Sequence, residues 1–191
     1  MKNMKKILVL SLAALLLVAV SVGGTVAYLT AVTGEVENEF TTSNINITLT
    51  ESENLDLKMV PGSTITKDPV VTVLKGSEEC WVFVEVTRSA NFDDFMTYAM
   101  KEGWTLVATD GLTSVYGYNT PVDAATENKP IAVLAGDVVS VKSSVTKVMM
   151  DAIDGGTAYK PTLTFKAYAV QAANISATTA SDAWVVYNNA K

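Results

Sequence analysis

The chain contains no histidine. Without an imidazole there is no Ser-His-Asp triad, no HExxH zinc site and no imidazole base. Cys80 is the single cysteine, so neither an intrachain disulfide nor a CxxC metal knuckle can form. Basic residues are the minority: 14 Lys and Arg stand against 20 Asp and Glu, a formal charge of −6 over 191 residues. That sign is wrong for a nucleic-acid footprint, which needs a basic face. The apolar run at 7–22 is 16 residues long. A helix that crosses a bilayer needs about 20. What the chain does have is apolar content, 49% of residues, too much for a disordered chain.

The charge and the apolar content are unevenly spread. Lys2, Lys5 and Lys6 precede the run ILVLSLAALLLVAVSV, and Gly23-Gly24 and Thr25-Val26-Ala27 follow it. A basic start, an apolar stretch and a small-x-small triplet form an export signal over 1–27, cleaved between Ala27 and Tyr28. The same stretch left uncleaved would be an N-terminal anchor. No cysteine sits at the junction for a lipid anchor, and the end, DAWVVYNNAK, carries no hydrophobic tail or sorting motif. The expectation is a secreted product, bound to the membrane only before cleavage. Cleavage leaves 28–191, with 11 basic and 20 acidic residues and a net charge of −9. That length suits one domain with a real core and no disulfide staples.

Strand patterns fill most of the remainder. In 44–50, Ile45, Ile47 and Leu49 alternate with Asn46, Thr48 and Thr50. The pattern repeats in 55–60 and stops at Pro61-Gly62, a turn signal. The stretch 64–75 contains Pro69, which points to an edge or a bulge. In 80–88, CWVFVEVTR, Cys80, Val82, Val84 and Val86 share one face, and Trp81, Phe83 and Glu85 the other. Two apolar faces predict a central strand covered on both sides, at least at its start. Segments 104–110 and 113–119 flank Asp110-Gly111, a hairpin signal, and 131–134 and 138–141 flank the turn Ala135-Gly136-Asp137. In 162–171, Leu163, Phe165, Ala167 and Ala169 alternate with Thr164, Lys166, Tyr168 and Val170. Segment 184–187 reads as a closing strand. One stretch has helical period: Phe92, Phe95, Met96, Ala99 and Met100 form a stripe, with Asn91 as cap, Asp93 and Asp94 in the first turn and Gly103 at the end. Segment 144–152 fits a second short helix or a strand. The sum is an all-β chain, an antiparallel β-sandwich with one or two short helices, after a signal-peptide helix.

Little of this points to chemistry. Asp93-Asp94 is explained by its place at a helix start. Asp151 with Asp154-Gly155-Gly156 lacks the oxygen spacing of an EF-hand. Glu85 reads as an exposed strand-end acid, and Cys80 as a small buried hydrophobe or an intermolecular disulfide partner. Trp81, Trp104 and Trp184 read as core, with a sugar-binding face as the alternative. No catalytic residue, metal or cofactor is expected.

The informative segment is 28–42. Tyr28, Val32, Val36 and Phe40 fall on one strand face, while Glu35, Glu37 and Glu39 fall on the other. Such a strand can pair with its own sheet or with the open edge of another molecule. From the pattern alone it is equally an ordinary first strand.

The junction GGTVAYLT, the acidic stretch with Asn38-Glu39-Phe40, and Ile45-x-Ile47-x-Leu49 resemble exported proteins processed by the SipW-type signal peptidase of Gram-positive bacteria, the TasA/camelysin family. Met59-Val60-Pro61-Gly62-Ser63 with Ile65 and Lys67-Asp68-Pro69 is similar to that family's Pro-Gly turn, and 80–84 and 165–171 to its core strands. The resemblance implies a jelly-roll sandwich over 43–191 and a donor-type strand over 28–42. It implies a structural subunit or accessory component of an extracellular biofilm-matrix fibre, built by donor-strand exchange. Its partners would be itself, head to tail, or related matrix proteins, and the signal peptidase. Camelysin-like proteins have been classed as metallopeptidases. The absence of histidine argues against that here, so no enzyme is expected. A monomeric secreted surface or carbohydrate-binding module is the alternative.

Overall fold

The computed structural model describes residues 44–52 and 58–189. The proposed signal segment, its junction at Ala27 and Tyr28, the strand 28–42 with Val32, Val36 and Phe40, and the 55–57 part of the second expected strand lie outside the described residues. Lys58, Met59 and Val60 are described and form no strand. The described chain is an all-β antiparallel sandwich, as its alternating patterns require.

One layer is built around two long, interrupted strands. β2 (Thr64–Thr66) and β3 (Val70–Val73) follow one another, as do β9 (Lys129–Ala132) and β10 (Val138–Val141). β3 pairs with β9, placing Val71 opposite Ile131, and β2 pairs with β10, placing Ile65 opposite Val139. Bonds from Val133 N–H to the Pro69 carbonyl and from Lys67 N–H to the Asp137 carbonyl carry the ladder across both interruptions. Pro69, which has no N–H to offer, therefore breaks a strand in mid-layer and is itself buried, rather than marking an edge. The turn at 135–137 likewise does not fold a hairpin. It is a 3-10 turn that joins β9 to β10 along the same neighbour. β1 (Ile47–Thr50) flanks β3, and β5 (Met96–Thr97) flanks β10. The Pro61-Gly62 turn forms as expected, with Gly62 at φ +79° and its N–H on the Val141 carbonyl.

The second layer is centred on β4 (Ser77–Arg88). β11 (Leu163–Gln171) pairs along one side of it, Leu163 opposite Arg88 and Gln171 opposite Cys80. On the other side lie β7 (Thr113–Tyr118) and β8 (Val122–Ala124). β6 (Trp104–Asp110) makes the Asp110-Gly111 hairpin with β7. The two faces of β4 divide as the sequence suggested. Cys80, Val82, Val84 and Val86 enter the core between the layers, together with Val71, Val73 and Val139. Trp81 and Phe83 enter a second core on the outer face.

That outer core corrects the sequence reading. Segment 184–187 is not a strand; it lies within α3 (Ala180–Asn189), whose Ala180, Ala183 and Trp184 cover Trp81, Phe83 and Val115. The helix also exceeds the one or two expected, since the described residues hold three α-helices. Its start is a capping box. Asp182 N–H donates to Thr179 Oγ1 at 3.2 Å, and Asp182 Oδ2 accepts from Thr179 N–H at 3.0 Å and from the Thr178 hydroxyl at 3.1 Å. The Thr179 hydroxyl also donates to Asp182 Oδ2 at 2.9 Å, and this bond first, with the others to the carboxylate, holds the Asp182 carboxyl below its usual range. A lowered folded-state pKa gives stability that is fully present above about pH 4 and is lost as the pH falls through the folded value. Acidification below about pH 4 should therefore loosen α3, read by Trp184 fluorescence. Asp182→Asn should remove that acid step and leave a pH-independent deficit; an unchanged step in the variant would assign it to another carboxyl.

The expected 92–100 helix is the other correction. α1 (Phe92–Phe95) is a single turn, and Met96–Thr97 turn extended to pair with Ser140–Val141. Asn91 makes no side-chain cap; its amide donates instead to the Tyr159 carbonyl at 2.6 Å. The 144–152 segment resolves as α2 (Lys147–Asp154), capped by Thr146 Oγ1 accepting from Met149 N–H at 3.3 Å.

Candidate functional site

β1 stops at Thr50, but the strand it flanks, β2–β3, continues back to Thr64. Among the described residues no strand pairs with β2 on the side away from β10. The corner that follows β1 is fastened: Ser52 N–H and hydroxyl donate to the Asp68 carboxylate, which lowers the Asp68 pKa. Lys67 Nζ lies 2.6 Å from Glu51 and 5.5 Å over the Phe165 ring. β11 is likewise an edge of its own layer among the described residues.

A groove opens at this unfinished corner. It has a volume of about 640 Å³ and lies between β2, β10, β5, α2 and the start of β11. Ile65, Met96, Val139, Ile153 and Leu163 give it apolar walls. They face it because of alternation on the strands and because the apolar stripe of α2 is turned inward. The rim is charged and mostly cationic: Lys58, Lys67 and Lys160 against Asp154. Exposed apolar side chains gather at the same place. Val60 lines the groove and is 56% exposed, and Tyr159, next to Lys160, is 91% exposed. A groove of this kind can hold an extended amphipathic segment: apolar side chains fill the walls, acidic ones meet the rim, and the edge of β2 offers backbone hydrogen bonds.

The residues singled out for chemistry do not converge on it. Asp93 pairs with Arg88, and Asp151 with Lys147 at 2.6 Å across one helical turn. Among the described residues no three Asp, Glu or Cys side chains gather into a metal site. Glu85 is not a bare strand-end acid: it accepts from the Tyr168 hydroxyl at 3.0 Å and has Lys166 at 3.8 Å. Burial, then Glu85, raises the Tyr168 hydroxyl pKa. Cys80 is fully buried, and burial pushes its thiol up to about 11, so an intermolecular disulfide would require the core to open. Trp81, Trp104 and Trp184 are all buried, Trp104 with its indole N–H on the Ala132 carbonyl at 3.0 Å. None is presented for a sugar to stack on. Among the described residues no helix is long and apolar enough to cross a membrane.

The expected site residues Ala27, Tyr28, Val32, Val36 and Phe40 lie outside the described residues. The groove was not read from the sequence. Its lysines stand at 58, 67 and 160, and only the pairing of distant strands brings them together. No family model, curated protein or solved structure matches the chain.

Proposed function

We propose that the chain is a secreted structural protein, a subunit or accessory component of an extracellular matrix fibre. In this reading the signal peptidase cuts after Ala27. The strand 28–42 of one subunit then completes a sheet of the next, or of a related matrix protein. The observation that carries the reading is the missing row beside β2, a sheet edge with no strand on it among the described residues. An unpaired edge next to apolar surface is a template for a further strand. The sequence supplies a strand suited to it, apolar at Tyr28, Val32, Val36 and Phe40 and acidic at Glu35, Glu37 and Glu39. Main-chain hydrogen bonds would give affinity and alternate side chains would give register. Cleavage would act as the switch that frees the strand from the membrane. The role is structural and needs no cofactor.

The test is negative-stain electron microscopy of purified 28–191 beside a 41–191 truncation. Filaments from the first and none from the second are the expected result. Filaments of the same form from both would overturn strand donation. Discrete particles from 28–191 at high concentration would favour a monomeric module.

A further inference from the structure

We infer that the groove is a binding site for a single-chain fatty acid, with the alkyl tail between the two layers and the carboxylate at the lysines of the mouth. The inference goes beyond the structural role proposed above and does not depend on it.

The walls select the tail. Ile65, Phe92, Met96, Val139 and Ile153 line the groove, yet all are buried, none more than 8% exposed. The groove therefore reaches inward instead of lying on the surface. Ile65 and Val139 come from the paired strands β2 and β10, and Leu163 from β11 of the other layer. α2 closes the space with Met150 and Ile153. None of these side chains carries a strong hydrogen-bonding group. A polar group brought among them would lose its water and gain no partner. An alkyl chain has no polar group to lose. Met59, Met96 and Met150 are flexible and adapt to a slender apolar guest. The volume of about 640 Å³ falls among small-molecule sites. At about 30 Å³ for a water-sized group, such a space holds about twenty non-hydrogen atoms, enough for one fatty acid and too few for a two-chain phospholipid.

The mouth selects the head. The chain carries a formal charge of −6, but the mouth has the opposite sign, with Lys58, Lys67 and Lys160 against Asp154. Glu51 holds Lys67 at 2.6 Å, so three cations face two carboxylates and one positive charge is left over. A monocarboxylate balances it. Lys160 is placed to receive that group: it is exposed and lines the groove together with Pro161 and Leu163, so its ammonium stands where the apolar wall meets water. Val60, exposed at the mouth, is covered by the upper part of the tail.

The test titrates 28–191, labelled with [methyl-13C]methionine and kept dispersed, with dodecanoate below its micelle concentration. The methyl signals of Met59, Met96 and Met150 are expected to shift together and saturate, while Met100, outside the groove lining, stays. Shorter chains should bind more weakly, by about twofold to fourfold per methylene removed. Lys160→Glu should weaken dodecanoate about twofold to fivefold, the span of an exposed ion pair, and leave uncharged dodecanol unchanged. Dodecyltrimethylammonium, with the same tail and the opposite head, should bind more weakly than dodecanoate. No saturable shift of the three groove methionines would overturn the site. Equal binding of the cationic amphiphile, with no effect of Lys160→Glu, would overturn the role of the mouth. Vesicles of phosphatidylglycerol that perturb the same signals, where dodecanoate does not, would assign the groove to a membrane surface instead.

Discussion

Replacing Phe83 by alanine is expected to destabilise the domain by about 3–5 kcal/mol, the range for deleting a buried aromatic ring. Phe83 has no solvent exposure. It stands on the outer face of β4, with the Trp184 ring of α3 5.1 Å from its own at a tilt of 52°. Its strand neighbours are Tyr168 on one side and Gly117 on the other. Gly117 is what lets the helix come down onto the sheet: a Cβ there would stand 2.7 Å from Ala180 Cβ and 3.1 Å from the Phe83 ring. With no side chain at Gly117, nothing on that side can swing in to fill the space left by Phe83→Ala. The cavity should therefore remain, and the cost should fall at the upper end of the range. Against a total stability of order 5–15 kcal/mol, this is a large share. Urea unfolding followed by tryptophan fluorescence measures it. A loss below about 1 kcal/mol would mean that α3 is not held by this ring.

The sequence was most legible where both partners of a pairing carry strict alternation. β4 and β11 are the clearest case. Val82, Val84 and Val86 on one strand and Phe165, Ala167 and Ala169 on the other enter one core, while Phe83, Tyr168 and Val170 enter the other. Two readings failed for different physical reasons. The 92–100 stripe is helical in spacing, but Met96 and Thr97 gain ladder bonds to Ser140 and Val141 that a helix would forgo. Tertiary pairing overrode local period. At the C-terminus the aromatic and β-branched run at 184–187 suggested a strand. The helical signal was present in the wider window: Ala180, Ala183, Trp184 and Tyr187 stand at i, i+3, i+4 and i+7, behind the capping pair Thr179 and Asp182. The groove had no local signal to read. Lys58, Lys67 and Lys160 meet only because β2 runs beside β10 and near the start of β11.

Ser77→Ala is expected to cost about 0.5–1.5 kcal/mol, the net worth of a typical hydrogen bond. Ser77 is 2% exposed. Its Oγ accepts from Asn46 N–H at 3.0 Å and donates to the Asn46 carbonyl at 3.2 Å, standing in for a backbone pair. The Asn46 carbonyl keeps a second donor, Leu74 N–H at 2.9 Å, but the Asn46 N–H loses the partner it has. The damage should be local, at the described residues just before β1. Hydrogen exchange at the Asn46 amide should speed up by up to roughly tenfold, since each 1.4 kcal/mol is a factor of ten, while β4 and β11 amides change less. A uniform acceleration across both layers would instead mean that Ser77 supports the whole core. The position has a mechanical meaning under strand donation. A donated strand held in one subunit pulls on its own domain through Asn44 and Asn46, and these are fixed to the sandwich by Glu78 and Ser77. Filaments of Ser77→Ala should then form from the same segment, yet break under shear more readily than those of the unmodified chain. The weak point would lie not at the docked interface but at the root of the strand that each subunit gives away.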